Sequence, residues 1–200
     1  PETALAVHAE ARRLLGEAAA RLHGHPSREM PVVAVTGTNG KTTVAWLVSA
    51  LFERGGIVGT LGWGRPQALE PAAETTPDAV TLQKQLAALA AEGVSGVALE
   101  VSSHALDQQR LAGTDLAGAV WTNLSPEHLD YHGDLTAYGA AKARLVSRSE
   151  LGFVVANQAD PAVMAHVEPR VAADILWRFG ESVGDIRAEE EVCRRDGIRL

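Results

Sequence analysis

Three features of the 200-residue sequence predict an α/β fold with a mainly parallel sheet flanked by helices. Short β-branched runs alternate with longer segments whose apolar residues recur at helical spacing. One strand-to-helix junction carries a glycine- and threonine-rich loop, TGTNGKTT, at residues 36–43. A composition of 46% hydrophobic and 22% charged residues supports a substantial core and excludes wholesale disorder.

The elements follow in order along the chain. Residues 5–22 are rich in Ala, Leu, Glu and Arg at near-helical apolar spacing and stop at the breaker cluster GHPSREMP. Residues 1–30 therefore read as a lead-in helix and linker, ahead of a domain at 31–200. Residues 32–35 form a β-branched strand that enters the glycine-rich loop, and 42–53 a helix closed by Gly55 and Gly56. A strand is expected at 57–61, then a surface loop over 62–77, where Gly, Pro and polar residues crowd together. Asp78 is placed to cap a helix running to about Glu92, stopped by Gly93. Residues 94–101 and 116–124 read as buried strands, 136–148 as a helix leading into a strand at 152–157, and 186–200 as a hairpin turning at Asp196-Gly197. The sequence ends without a stop signal, so the polypeptide is expected to continue.

Eighteen Lys and Arg against twenty-five Asp and Glu give a net charge of −7. That argues against coating nucleic acid or an anionic membrane through bulk positive charge, while leaving room for a local phosphate site. The single cysteine, Cys193, cannot form an internal disulfide, and no CxxC or Cys/His cluster suggests structural zinc. No apolar stretch approaches the roughly 20 residues of a membrane span, and the first residues lack the apolar core of a signal peptide. A soluble, unexported protein of the reducing cytoplasm is the expectation.

The loop at 36–43 carries the strongest chemical signal. Its backbone N–H groups and the following helix N-terminus can hold phosphate oxygens, Lys41 can neutralise β- and γ-phosphate charge, and the Thr42 hydroxyl can ligate Mg²⁺. Val35 stands where the usual Walker pattern has glycine, so this is a variant phosphate loop; a turn without ligand is the alternative. The only lysines are Lys41, Lys84 and Lys142, and Lys84 reads as a solvated helix residue. Glu100 closes the apolar run VSGVALE at a strand's carboxyl end, where it could supply a hard oxygen to Mg²⁺ or simply face solvent. His128 and His132 share the polar loop NLSPEHLDYHG, as ligands or surface residues. Arg110, preceded by Gln108 and Gln109, could clamp an anion bidentately, and Thr75 and Thr76 could donate hydroxyl hydrogen bonds to it. Neither GxSxG nor a Cys/His nucleophile pair is evident, so covalent catalysis by the protein is the weaker idea.

The ordered set TGTNGKTT, TTPD at 75–78, EVSSHAL at 100–106 with Arg110, TNLSPEHLDYHG at 122–133 and YGAAK at 138–142 resembles the Mur ligases of peptidoglycan synthesis. Within them it is most similar to the members that add the third peptide residue to UDP-N-acetylmuramoyl-L-alanyl-D-glutamate. The phosphate loop is shared across the superfamily, including folylpolyglutamate and cyanophycin synthetases; EVSSHAL with HLDYHG points to the third-residue ligases. The resemblance covers about residues 26–160. It implies a P-loop-type central ATPase at 31–200, preceded at 1–30 by the linker from an N-terminal UDP-binding domain and followed by a C-terminal ligase domain, both of those outside the sequence.

The resemblance further implies an ATP-dependent acid–amino-acid ligase. The D-glutamyl carboxylate becomes an acyl phosphate, a diamino acid attacks it, and phosphate leaves as the amide forms. Gly37, Thr38, Asn39, Gly40, Lys41, Thr42 and Thr43 would hold ATP, with Asn157 a weak further contact, since NQAD at 157–160 departs from the family's NxDD. Thr42 and Glu100 would serve one Mg²⁺. His128 and Lys142 would serve a second, the lysine as its N-carbamate, because an ammonium cannot ligate a cation. Thr75, Thr76, Ser102, Gln108 and Arg110 would grip the UDP-N-acetylmuramoyl dipeptide. Glu127 stands where the family usually has Asp before the histidine. A monomer is implied, and diaminopimelate, lysine and ornithine remain open as the added residue. A related ligase with another acceptor and an isolated non-catalytic nucleotide-binding module are the competing readings.

Overall fold

The computed structural model describes residues 10–181 and 183–187, and the backbone of 192–194 and 197–199. Helix α1 (Ala11–Leu22) and a 3₁₀ turn (Pro26–Arg28) lead into β1 (Val32–Thr36), followed by α2 (Lys41–Ala50), β2 (Gly55–Gly59), β3 (Gly62–Arg65) and β4 (Ala68–Glu70). Then come α3 (Ala79–Ala91), β5 (Gly96–Glu100), α4 (Ser103–Asp107), β6 (Gly118–Trp121), α5 (Leu129–His132) and α6 (Leu135–Val146). The described chain closes with β7 (Phe153–Asn157), α7 (Pro161–Val167), β8 (Ile175–Gly180), β9 (Ile186–Arg187), β10 (Val192–Arg194) and β11 (Gly197–Arg199).

Nine strands form one sheet in the order β4-β3-β2-β5-β1-β6-β7-β8-β9, parallel from β2 to β9 and antiparallel over β2, β3 and β4. Every residue of β1 and of β5 is buried, which is why both read as unbroken apolar runs rather than alternating ones. Successive side chains still take opposite faces. Val32 and Ala34 join the larger core beneath α3, α6 and α7, with Leu82, Leu86, Tyr138, Leu145 and Val163. Val33 and Val35 join a smaller cluster beneath α2, with Ala45, Ile57, Ala98 and Val120.

Several boundaries differ from the sequence expectation, each for a local reason. Residues 62–77 are not all loop, since β3 and β4 extend the sheet as an antiparallel ladder. Gly62 and Gly64 there have φ of 139° and 134°, and a Cβ would lie 2.5 Å from Glu70 O and 2.7 Å from Ala68 O respectively. The glycines that suggested a turn are those a tightly paired strand needs. Helix α2 ends at Ala50, and Gly55 and Gly56 belong to β2. A Cβ on Gly55 would lie 1.8 Å from Ser49 O, so glycine lets the chain fold back against the helix end. Ile186 pairs with Phe179 in parallel, outside the hairpin, which is confined to β10 and β11; its connecting residues 195–196 lie outside the described set. The lead-in helix is described from residue 11, with 5–9 outside that set. The short helices α4, α5 and α7 and the strand β8 carry too few periodic residues to have been anticipated.

The carboxyl ends of β1, β5, β6 and β7 converge on one edge of the sheet, and β1 lies between β5 and β6, where successive crossovers depart in opposite directions. Ligands of open α/β sheets bind in the crevice at such a switch point. Among the described residues no helix is long and apolar enough to cross a membrane.

Asp78 caps α3 as expected, its carboxylate accepting from the N–H groups of Val80 and Thr81 at 2.9 and 3.1 Å. Asp78→Ala is predicted to cost about 1 kcal/mol of stability, measurable as a lower urea midpoint at unchanged slope.

Candidate active site

The loop at 36–43 leaves β1, passes Gly37 at φ 149° and Gly40 at φ 80°, and opens α2. The first intrahelical bond runs from Val44 N–H to Gly40 O. The N–H groups of Gly40, Lys41, Thr42 and Thr43 thus have no partner within the helix and sit at its positive end, an arrangement suited to anionic oxygens. The amides of Thr38 and Asn39 are committed elsewhere, donating to Asn123 O at 3.0 Å and to Asn123 Oδ1 at 2.8 Å. Asn123 Nδ2 and Thr122 Oγ1 in turn donate to Asn39 O, at 3.1 and 2.6 Å. Asn157, expected at the nucleotide, has its side-chain amide on Thr122 O at 2.9 Å and so braces this clamp. A Cβ on Gly37 would fall 1.9 Å from Thr122 Oγ1, so no other residue fits there.

Lys41 folds back over the loop, its ammonium donating to Gly37 O at 2.9 Å and Thr38 O at 2.8 Å. Burial pushes its pKa down, opposed by the nearby carboxylates of Glu127 and Glu100. Thr42 Oγ1 donates to Glu100 Oε2 at 2.9 Å. Glu100 is fully buried and takes two further bonds from Thr60, from its N–H and its hydroxyl, both at 3.1 Å. Among the described residues no group of three His, Cys, Asp or Glu is arranged to hold a metal. Mg²⁺, however, needs only one or two carboxylates when phosphates and waters complete its shell. The paired hard oxygens of Thr42 and Glu100, next to a phosphate-binding helix end, fit that requirement.

Lys142, only 1% exposed, reaches from α6 to the same Gly37 carbonyl at 2.9 Å, its ammonium 4.5 Å from the centre of the Tyr138 ring. Among the described residues it makes no ion pair. Burial first, and the Lys41 charge second, lower its pKa to about 7. An amine substantially neutral near pH 7 is nucleophilic enough to take up CO₂, so the residue fits a carbamate ligand. Among the described residues no hydrogen bond joins His128 to Lys142; the His128 ring lies 6.2 Å from that of Tyr138, on a backbone at φ 54° that precedes the single turn α5. His104, His128, His132 and Tyr131 form a ring cluster with centroids 4.2–5.5 Å apart. Burial and the neighbouring histidines depress the pKa of His104 and His132.

The third group lies beside the first two. Thr76 Oγ1 donates to Glu100 O at 2.9 Å and accepts from Ser102 N–H at 3.0 Å, while the hydroxyls of Thr75 and Thr60 are hydrogen-bonded to each other at 3.0 Å. Arg110 donates from Nε and Nη2 to Gln108 Oε1 and from Nη1 to Thr76 O. Of these, Gln108 and Arg110 line a cavity of about 540 Å³, together with residues of α1, α3 and the segments 71–74 and 77–78. Thr75, Thr76, Ser102, Gln108 and Arg110 thus sit together, linked through Glu100 to the phosphate loop. Sequence reasoning missed Thr60, Thr122 and Asn123 as supports. Each lies just past the carboxyl end of a strand, Thr60 after β2 and Thr122 and Asn123 after β6, and the last two open the TNLSPEHLDYHG motif.

A parallel sheet whose central strand feeds this loop, lysine and helix end defines a P-loop-type nucleotide-binding domain. The family model for the Mur ligase middle domain matches residues 35–199, and the chain belongs to the Mur ligase family. It is 52% identical over 196 residues to the UDP-N-acetylmuramoyl-L-alanyl-D-glutamate–2,6-diaminopimelate ligase of Alkalilimnicola ehrlichii, covering 94% of the chain and 39% of that protein. It is 51% identical over 150 residues to the ligase of the same name from Pseudomonas aeruginosa, covering 73% of the chain and 31% of that protein. The chain therefore spans about two-fifths or less of the length of these relatives. A solved structure of a ligase of that name superposes with a TM-score of 0.81 at 32% identity, over 99% of the chain and 43% of the other. Mycobacterium tuberculosis folylpolyglutamate synthase, solved with ADP and AMPPCP, gives a TM-score of 0.61 at 25% identity, over 84% of the chain and 47% of the other.

Because Lys142 has a pKa near 7 when folded and an ordinary 10.5 when unfolded, the unfolded chain holds more protons between those values. Its penalty on folding is full below pH 7 and is relieved as pH rises toward 10.5. In CO₂-depleted buffer, Lys142→Met is predicted to flatten the rise of stability with pH over that window, measured by denaturant unfolding at several pH values.

Proposed function

We propose that the chain is the ATP-binding core of an ATP-dependent acid–amino-acid ligase that extends UDP-N-acetylmuramoyl-L-alanyl-D-glutamate by a diamino acid. Residues 1–30 are read as the lead-in segment and 31–200 as the central domain of that enzyme. The observation that carries this reading is the continuous hydrogen-bonded linkage of three groups: the buried amine of Lys142 joins the loop at Gly37 O, the loop joins Glu100 through Thr42, and Glu100 joins the cavity residue Arg110 through Thr76. The names of the relatives support 2,6-diaminopimelate as the incoming residue. The same reading makes the protein a monomeric cytoplasmic enzyme of peptidoglycan synthesis without nucleic-acid or membrane partners.

In this reading the amides of 40–43 and the Lys41 ammonium hold the ATP phosphates, the lysine leaving the carbonyls of Gly37 and Thr38 for phosphate oxygens. Gly37, Thr38 and Asn39 shape the loop, and Asn157 supports it through Thr122. Thr42 and Glu100 would hold one Mg²⁺, and His128 with carbamylated Lys142 a second. Bound there, the metal would neutralise charge on the transferring phosphoryl group. Thr75, Thr76, Ser102, Gln108 and Arg110 orient the dipeptide so that its terminal carboxylate faces the γ-phosphate. That carboxylate attacks phosphorus, ADP leaves, and the amino group of the diamino acid displaces phosphate from the acyl phosphate. The protein's contribution is positioning and charge compensation.

Lys41→Ala in the ligase carrying this chain is predicted to abolish acceptor-dependent phosphate release; normal release would remove the loop from the mechanism. Lys142→Ala is predicted to lose activity while keeping a cooperative unfolding transition, and wild-type turnover by it would show that no carbamate is needed.

A further inference from the structure

The guanidinium of Arg110 is nearly saturated by the protein itself. It has five N–H groups, and a carboxylate is gripped through two parallel ones along an edge. The edge formed by Nε and Nη2 is capped by Gln108 Oε1, at 3.0 and 2.8 Å. On the other edge Nη1 donates to Thr76 O at 2.7 Å and to the carboxylate of Glu74. Gln108 and Thr76 are anchored, the first on the C-cap of α4 and the second, fully buried, on the end of β5. Glu74 differs, because its side chain is 52% exposed against 20% for Arg110, and it sits between β4 and α3 in irregular structure. Both Glu74 and Arg110 line the 540 Å³ cavity.

We infer that Glu74 is an internal competitor for Arg110, occupying the edge that a carboxylate of the acceptor must take. The inference rests on the acceptor reading of this cavity. An incoming carboxylate gains two parallel bonds, from Nη1 and Nη2, only by displacing Glu74, among the described residues the one carboxylate paired with Arg110 and the partner most easily released to water. Exposed pairs of this kind are weak, so the exchange is cheap. A ligand without a carboxylate gains nothing by it, and the pair therefore adds selectivity for acidic acceptors at the expense of affinity.

The test is calorimetric binding of UDP-N-acetylmuramoyl-L-alanyl-D-glutamate to the ligase carrying this chain, comparing wild type, Glu74→Gln and Arg110→Ala. Glu74→Gln is expected to tighten acceptor binding by roughly two- to fivefold, with affinity for a non-hydrolysable ATP analogue unchanged, and Arg110→Ala to weaken acceptor binding strongly. If Arg110→Ala weakens binding but Glu74→Gln leaves it equal or weaker, Glu74 holds the arginine in place and the competition is overturned, while the acceptor reading stands. If Arg110→Ala binds the acceptor like wild type, the cavity is not the acceptor site and both readings fall.

Discussion

One carbonyl oxygen organises the site. Gly37 O accepts from two ammonium groups, Lys41 of its own loop and Lys142 from a helix more than a hundred residues later, both at 2.9 Å. Bringing two cations to one dipole is unfavourable unless something else shares the charge. Burial and this mutual repulsion show in Lys142, whose pKa falls to about 7. An anion entering the loop relieves that frustration, so the fold holds the site in a state that binding of phosphate improves.

Only glycine fits at position 37 because the sheet places Thr122 against it, and Thr122 is held in turn by Asn157 from β7. The parallel order β5-β1-β6-β7 thus does more than build a core. It aligns four strand ends, so that Thr36, Glu100, Thr122 and Asn157 each contribute to a single rigid edge. Glu100 is the second hub. Its carboxylate faces Thr42 and Thr60, its backbone carbonyl binds Thr76, and the phosphate loop and the cavity edge are coupled through one buried residue.

Much of this was legible in the sequence. The strand, loop and helix read over 32–53, the Asp78 cap, and the buried strands read at 94–101 and 116–124, which the fold trims to Gly96–Glu100 and Gly118–Trp121, follow from apolar runs and capping residues whose physics is local. The glycines of β3 were misread because a glycine needed for close strand pairing and one needed for a turn look the same in one dimension. The partners of the loop were illegible for a different reason. Asn123 lies 84 residues from Asn39 and Tyr138 lies 100 from Thr38, and no periodicity encodes a contact across a crossover. The roles of His128 and Lys142 came from motif resemblance, and the fold places both beside one tyrosine ring, Tyr138, at 6.2 Å between rings and 4.5 Å from the ammonium to the ring centre.

In the proposed function this edge, within the ligase that carries it, activates an acid for amide formation. The most direct measurement incubates the ligase carrying this chain with ATP, Mg²⁺, UDP-N-acetylmuramoyl-L-alanyl-D-glutamate and an equimolar mixture of diaminopimelate, lysine and ornithine, and reads the nucleotide-sugar peptide by mass spectrometry. The account predicts a product heavier by one diaminopimelate residue, formed with stoichiometric ADP and phosphate. ATP binding without any gain in mass would contradict it and point to a P-loop core serving a different acid.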